Sequence, residues 1–299
     1  MASLTVPPVP TCPRQDAIDL HRAFKGFGCD STTVIGILAH RDAPQRALIQ
    51  REYRAAFSQD LARRVASELS GHHRRAMLLW ILDPASRDAT LHAVRQAYAA
   101  RFGRHVEHDV AERASGDHRR LLLAYLAVPR AEGGAGHGGW EWVDTSLAAL
   151  DARELYKAGE RRLGTDERAF VRVFSERSWA HLAAVARAYH RMYDRPLERA
   201  VKGETSGSFG FGLLTILRCA ADTPARYFAK VLHKAMKGVG TSDTALIRVV
   251  VTRAEVDMQY IKAEYHRLYK RSLADAIHAE TSGNYRTFLL SLVGRDRAY

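Results

Sequence analysis

Asparagine is almost missing from this sequence: Asn284 is the only one among 299 residues. Lysine is scarce as well, and the basic charge comes from 37 arginines. That bias, with abundant alanine, is what GC-rich coding produces, so part of the formal net charge of +12 carries no functional message. No apolar run approaches the roughly 18 residues that mark a bilayer-spanning helix. The stretch from Met1 to Thr11 has neither a basic start nor a long apolar core, and reads as a proline-rich arm rather than a signal peptide. The three cysteines, Cys12, Cys29 and Cys219, lie far apart and form no CxxC pair. This excludes a disulfide framework and a zinc knuckle, and points to a reduced, cytosolic setting. The dipeptide Gly-Lys never occurs, and neither HExxH nor an EF-hand loop is present, which removes the commonest nucleotide, zinc-hydrolase and EF-hand signatures.

What is present is globular in composition, at 46% hydrophobic and 26% charged residues. A chain with this charge is drawn to polyanions, either nucleic acid or anionic lipid. The arginines are spread along the sequence, and no nucleic-acid-binding motif accompanies them.

An internal ruler organises the chain. Four glycines end similar phrases: Glu-Leu-Ser-Gly71, Arg-Ala-Ser-Gly116, Glu-Thr-Ser-Gly207 and Glu-Thr-Ser-Gly283. Eighteen residues before each stands a tyrosine: Tyr53, Tyr98, Tyr189 and Tyr265. Seven after each stands Leu78, Leu123, Leu214 or Leu290, and ten after, Ile81, Leu126, Leu217 or Val293. Positions three apart share one face of a helix, so the ruler predicts a fourfold helical repeat. Gly28, Gly164 and Gly240 each precede their Ser-Gly glycine by 43 residues, and an arginine follows each by 13: Arg41, Arg177 and Arg253. In the second repeat the corresponding slot falls on His73, inside the first repeat, so about 30 residues are missing there relative to the 76-residue spacing from Gly207 to Gly283. N-caps are expected at Asp30-Ser31, Ser58, Asp166 and Ser242-Asp243. Val34, Ile35 and Leu38, echoed by Leu246, Ile247 and Val250, form apolar stripes. The segments 78–82, 121–126 and 213–217 are apolar nearly all round, as buried helices are. The stretch Ala131 to Gly139 is a glycine-rich linker.

The loop glycines let the backbone turn sharply and expose its carbonyls between two helices. Forty residues after Gly28, Gly164 and Gly240 come Glu68, Glu204 and Glu280. Several carbonyls plus one distant carboxylate suit a hard, oxygen-seeking cation. Taken singly, each loop also fits a helix C-cap with a solvated glutamate nearby; the shared offset in three loops favours the metal.

These loops, the acid at that offset, the Ser-Gly phrase and the repeat resemble the annexins, plant annexins most closely, from about Asp16 to Gly294. FKGFGCD, ILAHRDAPQRALIQREY, MKGVGTSD and IRVVVTRAEVDMQYIKAEY look like plant annexin repeats one and four. The resemblance implies an all-α, four-repeat helical disc of about five short helices per repeat, with repeat 2 lacking its first two helices. It implies Ca2+ ligands at Phe24, Gly26, Gly28 and Glu68 in repeat 1. In repeat 3 it implies Gly159, Arg162, Gly164 and Glu204, and in repeat 4 Met236, Gly238, Gly240 and Glu280. The divisions expected are an arm over 1–15, repeat 1 over 16–83, a truncated repeat 2 over 84–129, a linker over 130–145, repeat 3 over 146–220 and repeat 4 over 221–296.

Two departures stand out. Cys29 replaces the usual threonine after the loop glycine, with little effect expected because the ligands are backbone groups. Arg113 stands where the acid of repeat 2 belongs, so no site is expected there. The loop tips Phe27, Leu163 and Val239 either pack locally or dip into lipid headgroups. The implied function is Ca2+-dependent binding to anionic phospholipid membranes, with no enzymatic activity, in trafficking or stress response. F-actin is a further partner taken from the family, nucleic acid is the rival polyanion, and a monomer in solution is expected. His40 matches a segment linked to peroxidase activity in plant annexins, but a lone histidine on an amphipathic helix reads as structural. His72, His73 and His118 read as solvated polar residues near the Ser-Gly turns.

Overall fold

The computed structural model describes residues 11–25, 28–82, 95–96, 98–99, 102–127, 143–221, 224–238 and 240–294. The linker expected over 130–145 lies mostly outside them, as do Gly26, Phe27 and Val239. The described residues are helical, with no strand among them. No described helix is long and apolar enough to cross a membrane. The chain divides into two compact units, one made of residues 1–90 and 228–299, the other of residues 91–227.

In the first unit, repeat 1 supplies α1 (Pro13–Ala23), α2 (Ser31–Leu38), α3 (Ala43–Phe57), α4 (Leu61–Glu68) and α5 (Gly71–Leu82). Helix α1 thus begins inside the stretch assigned to the arm. In the second unit lie α6 (Val106–Arg113), α7 (Gly116–Ala127), α8 (Thr145–Ala158), α9 (Glu167–Glu176), α10 (Trp179–Tyr193), α11 (Leu197–Glu204) and α12 (Gly207–Ala221). Repeat 4 supplies α13 (Pro224–Met236), α14 (Asp243–Arg253), α15 (Met258–Tyr269), α16 (Leu273–Glu280) and α17 (Gly283–Val293).

Local chemistry explains the boundaries. Asp30, Asp42, Asp60, Asp144, Asp166, Ser178 and Ser272 each accept a hydrogen bond from a backbone N–H in the first turn of the helix that follows, satisfying donors that have no partner within the helix. Ser242 occupies the N-cap of α14 without a side-chain bond. Ser58 departs from its expected role: it ends α3 in the left-handed region at φ 50°, and the cap of α4 is Asp60. The Ser-Gly glycines open α5, α7, α12 and α17 with φ between 55° and 57°, a region that glycine enters without steric cost.

The two apolar stripes are buried: Val34, Ile35 and Leu38 on α2, and Leu246, Ile247 and Val250 on α14. In the first unit α5 packs against α14 and α17, while α17 returns against α2. In the second unit α7 packs against α9 and α12. The segments expected to be buried all round are buried on one face only. Met77, Trp80 and Ile81 are enclosed, but Leu78, Leu79 and Leu82 are half-buried. In repeat 2 only Leu121 of its segment is fully enclosed, and Tyr98 is half-buried where Tyr53, Tyr189 and Tyr265 are buried. Shortening the repeat removes covering side chains from the helices that remain.

The arginine that follows each loop has a structural job. Arg41 makes a two-pronged bond to Asp16 at 2.7 and 2.9 Å, and Arg177 does the same to Asp151 at 2.7 and 3.1 Å. In repeat 4 the ring of Phe228 lies beneath Arg253, whose bonds go to Asp257 at 2.8 and 2.6 Å. One histidine reading is corrected: His73 is buried, its ring 6.1 Å from that of Phe288, and burial pushes its pKa below the ordinary value. His72 remains exposed beside Asp243, and His118 is half-buried against Gly212.

Candidate metal centres

Each loop is closed by one backbone bond. The amide of Asp30 donates to Ala23 O at 2.9 Å, that of Asp166 to Ala158 O at 2.8 Å, and that of Ser242 to Ala235 O at 2.8 Å. These bonds align Phe24, Gly159 and Met236 as the first loop residue of repeats 1, 3 and 4, and show that the loop of repeat 3 is one residue longer. The loop glycines Gly28, Gly164 and Gly240 have φ of 98°, 79° and 92°, values that L side chains rarely adopt. In repeats 1, 3 and 4 a ring on the first helix stacks on a ring of the third: His21 on Phe57, Tyr156 on Tyr193 and His233 on Tyr269, with centroids 3.8, 3.9 and 3.7 Å apart.

The distant acids fold back to these loops. In repeat 3 the Glu204 carboxylate accepts from the Thr165 hydroxyl at 2.8 Å, and Glu204 O accepts from it at 3.0 Å. Its side chain lies so close to Gly159 that a Cβ there would sit 2.8 Å from Glu204 Cγ and 3.3 Å from Oε2. In repeat 4 the Glu280 carboxylate accepts from Thr241 at 3.0 Å. In repeat 1, where Cys29 stands in place of that threonine, the acid has a different partner. Glu68 is paired with Arg64 at 2.9 Å, and the same nitrogen, Nη2, donates to Phe24 O at 2.6 Å. Burial pushes the Cys29 thiol upward in pKa, the Ser31 hydrogen bond opposes this, and the charge of Glu68 adds to the rise.

The predicted residues therefore gather as three sets. Phe24, Gly28 and Glu68 converge on one loop, Gly159, Arg162, Gly164 and Glu204 on another, and Met236, Gly238, Gly240 and Glu280 on a third; Gly26 lies outside the described residues. Gly159 O already accepts from Arg162 N at 2.9 Å, which leaves a carbonyl oxygen one further lone pair. The donors are backbone oxygens and one carboxylate, a set that fits a hard divalent cation. The close approach of Glu204 to Gly159, possible only without a Cβ, brings that carboxylate to the loop carbonyls and supports the fit. In repeat 2, Arg113 is exposed at the end of α6 and His73 lies within α5, so among the described residues neither an acid nor a loop glycine stands at the offsets shared by the other repeats.

Sequence reasoning missed three contributors. Thr165 and Thr241 orient their acids, which the position after each loop glycine could have signalled. Arg64 stands four residues before its acid, where Ala200 and Ala276 stand in repeats 3 and 4, and comparing that offset between repeats would have exposed it.

The family model described as Annexin matches residues 15–80, 150–216 and 227–292, the three stretches that carry these loops. The chain belongs to the annexin family. This annexin is 44% identical to Annexin D5 of Arabidopsis thaliana, over 98% of this chain and 99% of that protein. It is 39% identical to Annexin A4 of Mus musculus, over 94% of each. Among solved structures, annexin III superposes with a TM-score of 0.86 at 33% identity, covering 99% of this chain and 98% of that one. Calcium-bound annexin (Sm)1 does so with a TM-score of 0.74 at 26% identity, covering 100% of this chain and 94% of that one.

Proposed function

We propose that this annexin attaches to anionic phospholipid surfaces through Ca2+ held in the loops of repeats 1, 3 and 4, and that it is not an enzyme. The observation that carries this reading is the return of Glu204 and Glu280 to glycine turns 40 residues earlier in the chain, each fixed by a threonine hydroxyl. Membership of a family of Ca2+-dependent phospholipid-binding proteins supports it. So does the calcium-bound state of its relative annexin (Sm)1.

Phe24, Gly26 and Gly28 would offer carbonyl oxygens in repeat 1, Gly159, Arg162 and Gly164 in repeat 3, and Met236, Gly238 and Gly240 in repeat 4. Glu68, Glu204 and Glu280 would each add a carboxylate. Without a cation, these acids repel a negative membrane. Bound Ca2+ supplies positive charge and free coordination positions that a headgroup phosphate can take. Leu163, fully exposed at the tip of its loop, adds an apolar contribution of about 1.5–3 kcal/mol if the headgroup layer buries it completely. Well-placed arginines facing the membrane add about 1 kcal/mol each. The setting we infer is cytoplasmic, with recruitment to membranes as Ca2+ rises, in trafficking or stress response.

Sedimentation with phosphatidylserine vesicles, in Ca2+ and in chelator, tests the reading. Glu68→Gln with Glu280→Gln is expected to raise the Ca2+ needed for half-maximal pelleting by about tenfold or more, since affinity follows the charge of the ligand set. Adding Glu204→Gln should abolish what remains. Pelleting that ignores Ca2+ and all three changes, with tight salt-sensitive RNA binding, overturns the reading in favour of a nucleic-acid scaffold.

A further inference from the structure

The loop of repeat 1 is already met by a cationic side chain from α4. Arg64 Nη2 lies between the two groups assigned to the ion there, donating to Phe24 O at 2.6 Å and pairing with Glu68 Oε1 at 2.9 Å. Its guanidinium carbon is 5.9 Å from the centroid of the Phe24 ring, and Nε is buried with no hydrogen-bond partner among the described residues. The side chain is 32% exposed and that of Glu68 20%, so the pair is held at the loop rather than extended into solvent. We propose that Arg64 is a built-in competitor for Ca2+ that makes repeat 1 the high-threshold site, filled only after repeats 3 and 4.

The physical case rests on the reading of these loops as Ca2+ sites and on the contrast between repeats. In repeats 3 and 4 the acid is oriented by a neutral hydroxyl, from Thr165 or Thr241, and the residue four before it is Ala200 or Ala276. An entering ion meets a carboxylate that has no ion pair among the described residues. In repeat 1 the hydroxyl is gone, because Cys29 occupies its place, and the charge of Glu68 is already balanced. A dication must break a charge-assisted bond to the carboxylate and a second bond to the carbonyl before it can use either oxygen. Two cationic groups cannot share that space, since like charges a few ångströms apart repel strongly where solvent is partly excluded. The guanidinium must rotate out; a lysine at this position keeps the charge but carries it as a compact ammonium on a flexible stem, so it replaces the bridge only in part. Breaking a hydrogen bond between charged groups corresponds to about a tenfold weaker apparent Ca2+ affinity, after discounting for partial exposure.

The test is calorimetric titration of the full-length chain with Ca2+ alone. In a Glu204→Gln, Glu280→Gln background only repeat 1 remains. There, Arg64→Gln is expected to tighten Ca2+ binding about tenfold, and Arg64→Lys by less. Arg63→Gln removes the same charge from an exposed neighbour on α4, and should change affinity less than about twofold. Without Ca2+, Arg64→Gln should also speed amide hydrogen exchange over residues 28–30, because the bridge from α4 to the loop is lost. Unchanged or weaker Ca2+ binding by both Arg64 variants, or an equal gain from Arg63→Gln, overturns the proposal. The otherwise unaltered chain separates the two levels of failure. If it takes up no Ca2+ at repeats 3 and 4, the loop reading itself fails; if those sites fill while the Arg64 variants change nothing, only the competitor role fails.

Discussion

Gly159 and Glu204 illustrate how much a single hydrogen atom in place of a methyl can matter. The acid is 45 residues from the glycine in sequence, yet its Cγ occupies the space a Cβ would need. Gly159→Ala is therefore expected to push the carboxylate out of the loop. Calorimetry in a Glu68→Gln, Glu280→Gln background should show about tenfold weaker Ca2+ binding at repeat 3, as a ligand of the set is displaced, with the helical circular dichroism spectrum retained. Unaltered binding would show that the acid is not a ligand. At this scale the sequence is informative about which residues matter and poor on why. The offset of 40 singles out Glu68, Glu204 and Glu280 equally, but only the folded chain shows that two of them face a threonine and one faces an arginine. The expectation that Cys29 changes little considered only backbone ligands. At that position the loop of repeat 1 offers Glu68 no threonine hydroxyl, and Glu68 pairs with Arg64.

Helices are where sequence and structure agree best, because what defines them is local. Caps act within one turn and apolar stripes within two or three, so Asp30, Asp166 and the stripes on α2 and α14 could be read directly. Helix C-termini are different. The third helices of repeats 1, 3 and 4 end five residues after the ruler tyrosine, at Ser58, Asp194 and Lys270, with φ of 50°, 50° and 54°, and Gly103 stands at the same offset from Tyr98 with φ of 68°. Four unlike residues share one backbone conformation, so identity gives no signal. Three of the four pay a steric cost that glycine does not. Lys270→Gly is expected to stabilise the protein by about 0.5–1 kcal/mol, and Gly103→Ala to destabilise it by a similar amount. Scanning calorimetry should show melting temperatures moving in opposite directions; a fall for Lys270→Gly contradicts the account.

Across the molecule, the contacts that join repeats are the least legible. In the first unit Arg46 on α3 and Glu255, just after α14, are 209 residues apart, yet they pair at 3.1 Å with side chains only 1% and 8% exposed. The guanidinium stacks 3.6 Å from the Trp80 ring centroid, Trp80 donates to Leu38 O at 2.7 Å, and Glu255 accepts from the Ala43 amide at 2.8 Å. Arg46→Met should cost roughly 3–5 kcal/mol in urea denaturation, because it leaves a carboxylate buried without its cation. Changing Glu255 to Gln in the same chain should recover part of that loss. If the single and double variants are equally stable, the pair does not act as a unit.

By itself the sequence determined the all-helical repeat, the shortened second repeat, the glycine turns and the acids that belong to them. Each of these is written in spacing or in interactions a few residues long, which survive in any conformation the chain adopts. Only the tertiary structure decided that Arg64 bridges Glu68 to Phe24 O, why Gly159 must be a glycine, and where Arg46 finds its anion. Those depend on distances between residues tens to hundreds of positions apart, and such distances exist only after the chain has closed on itself.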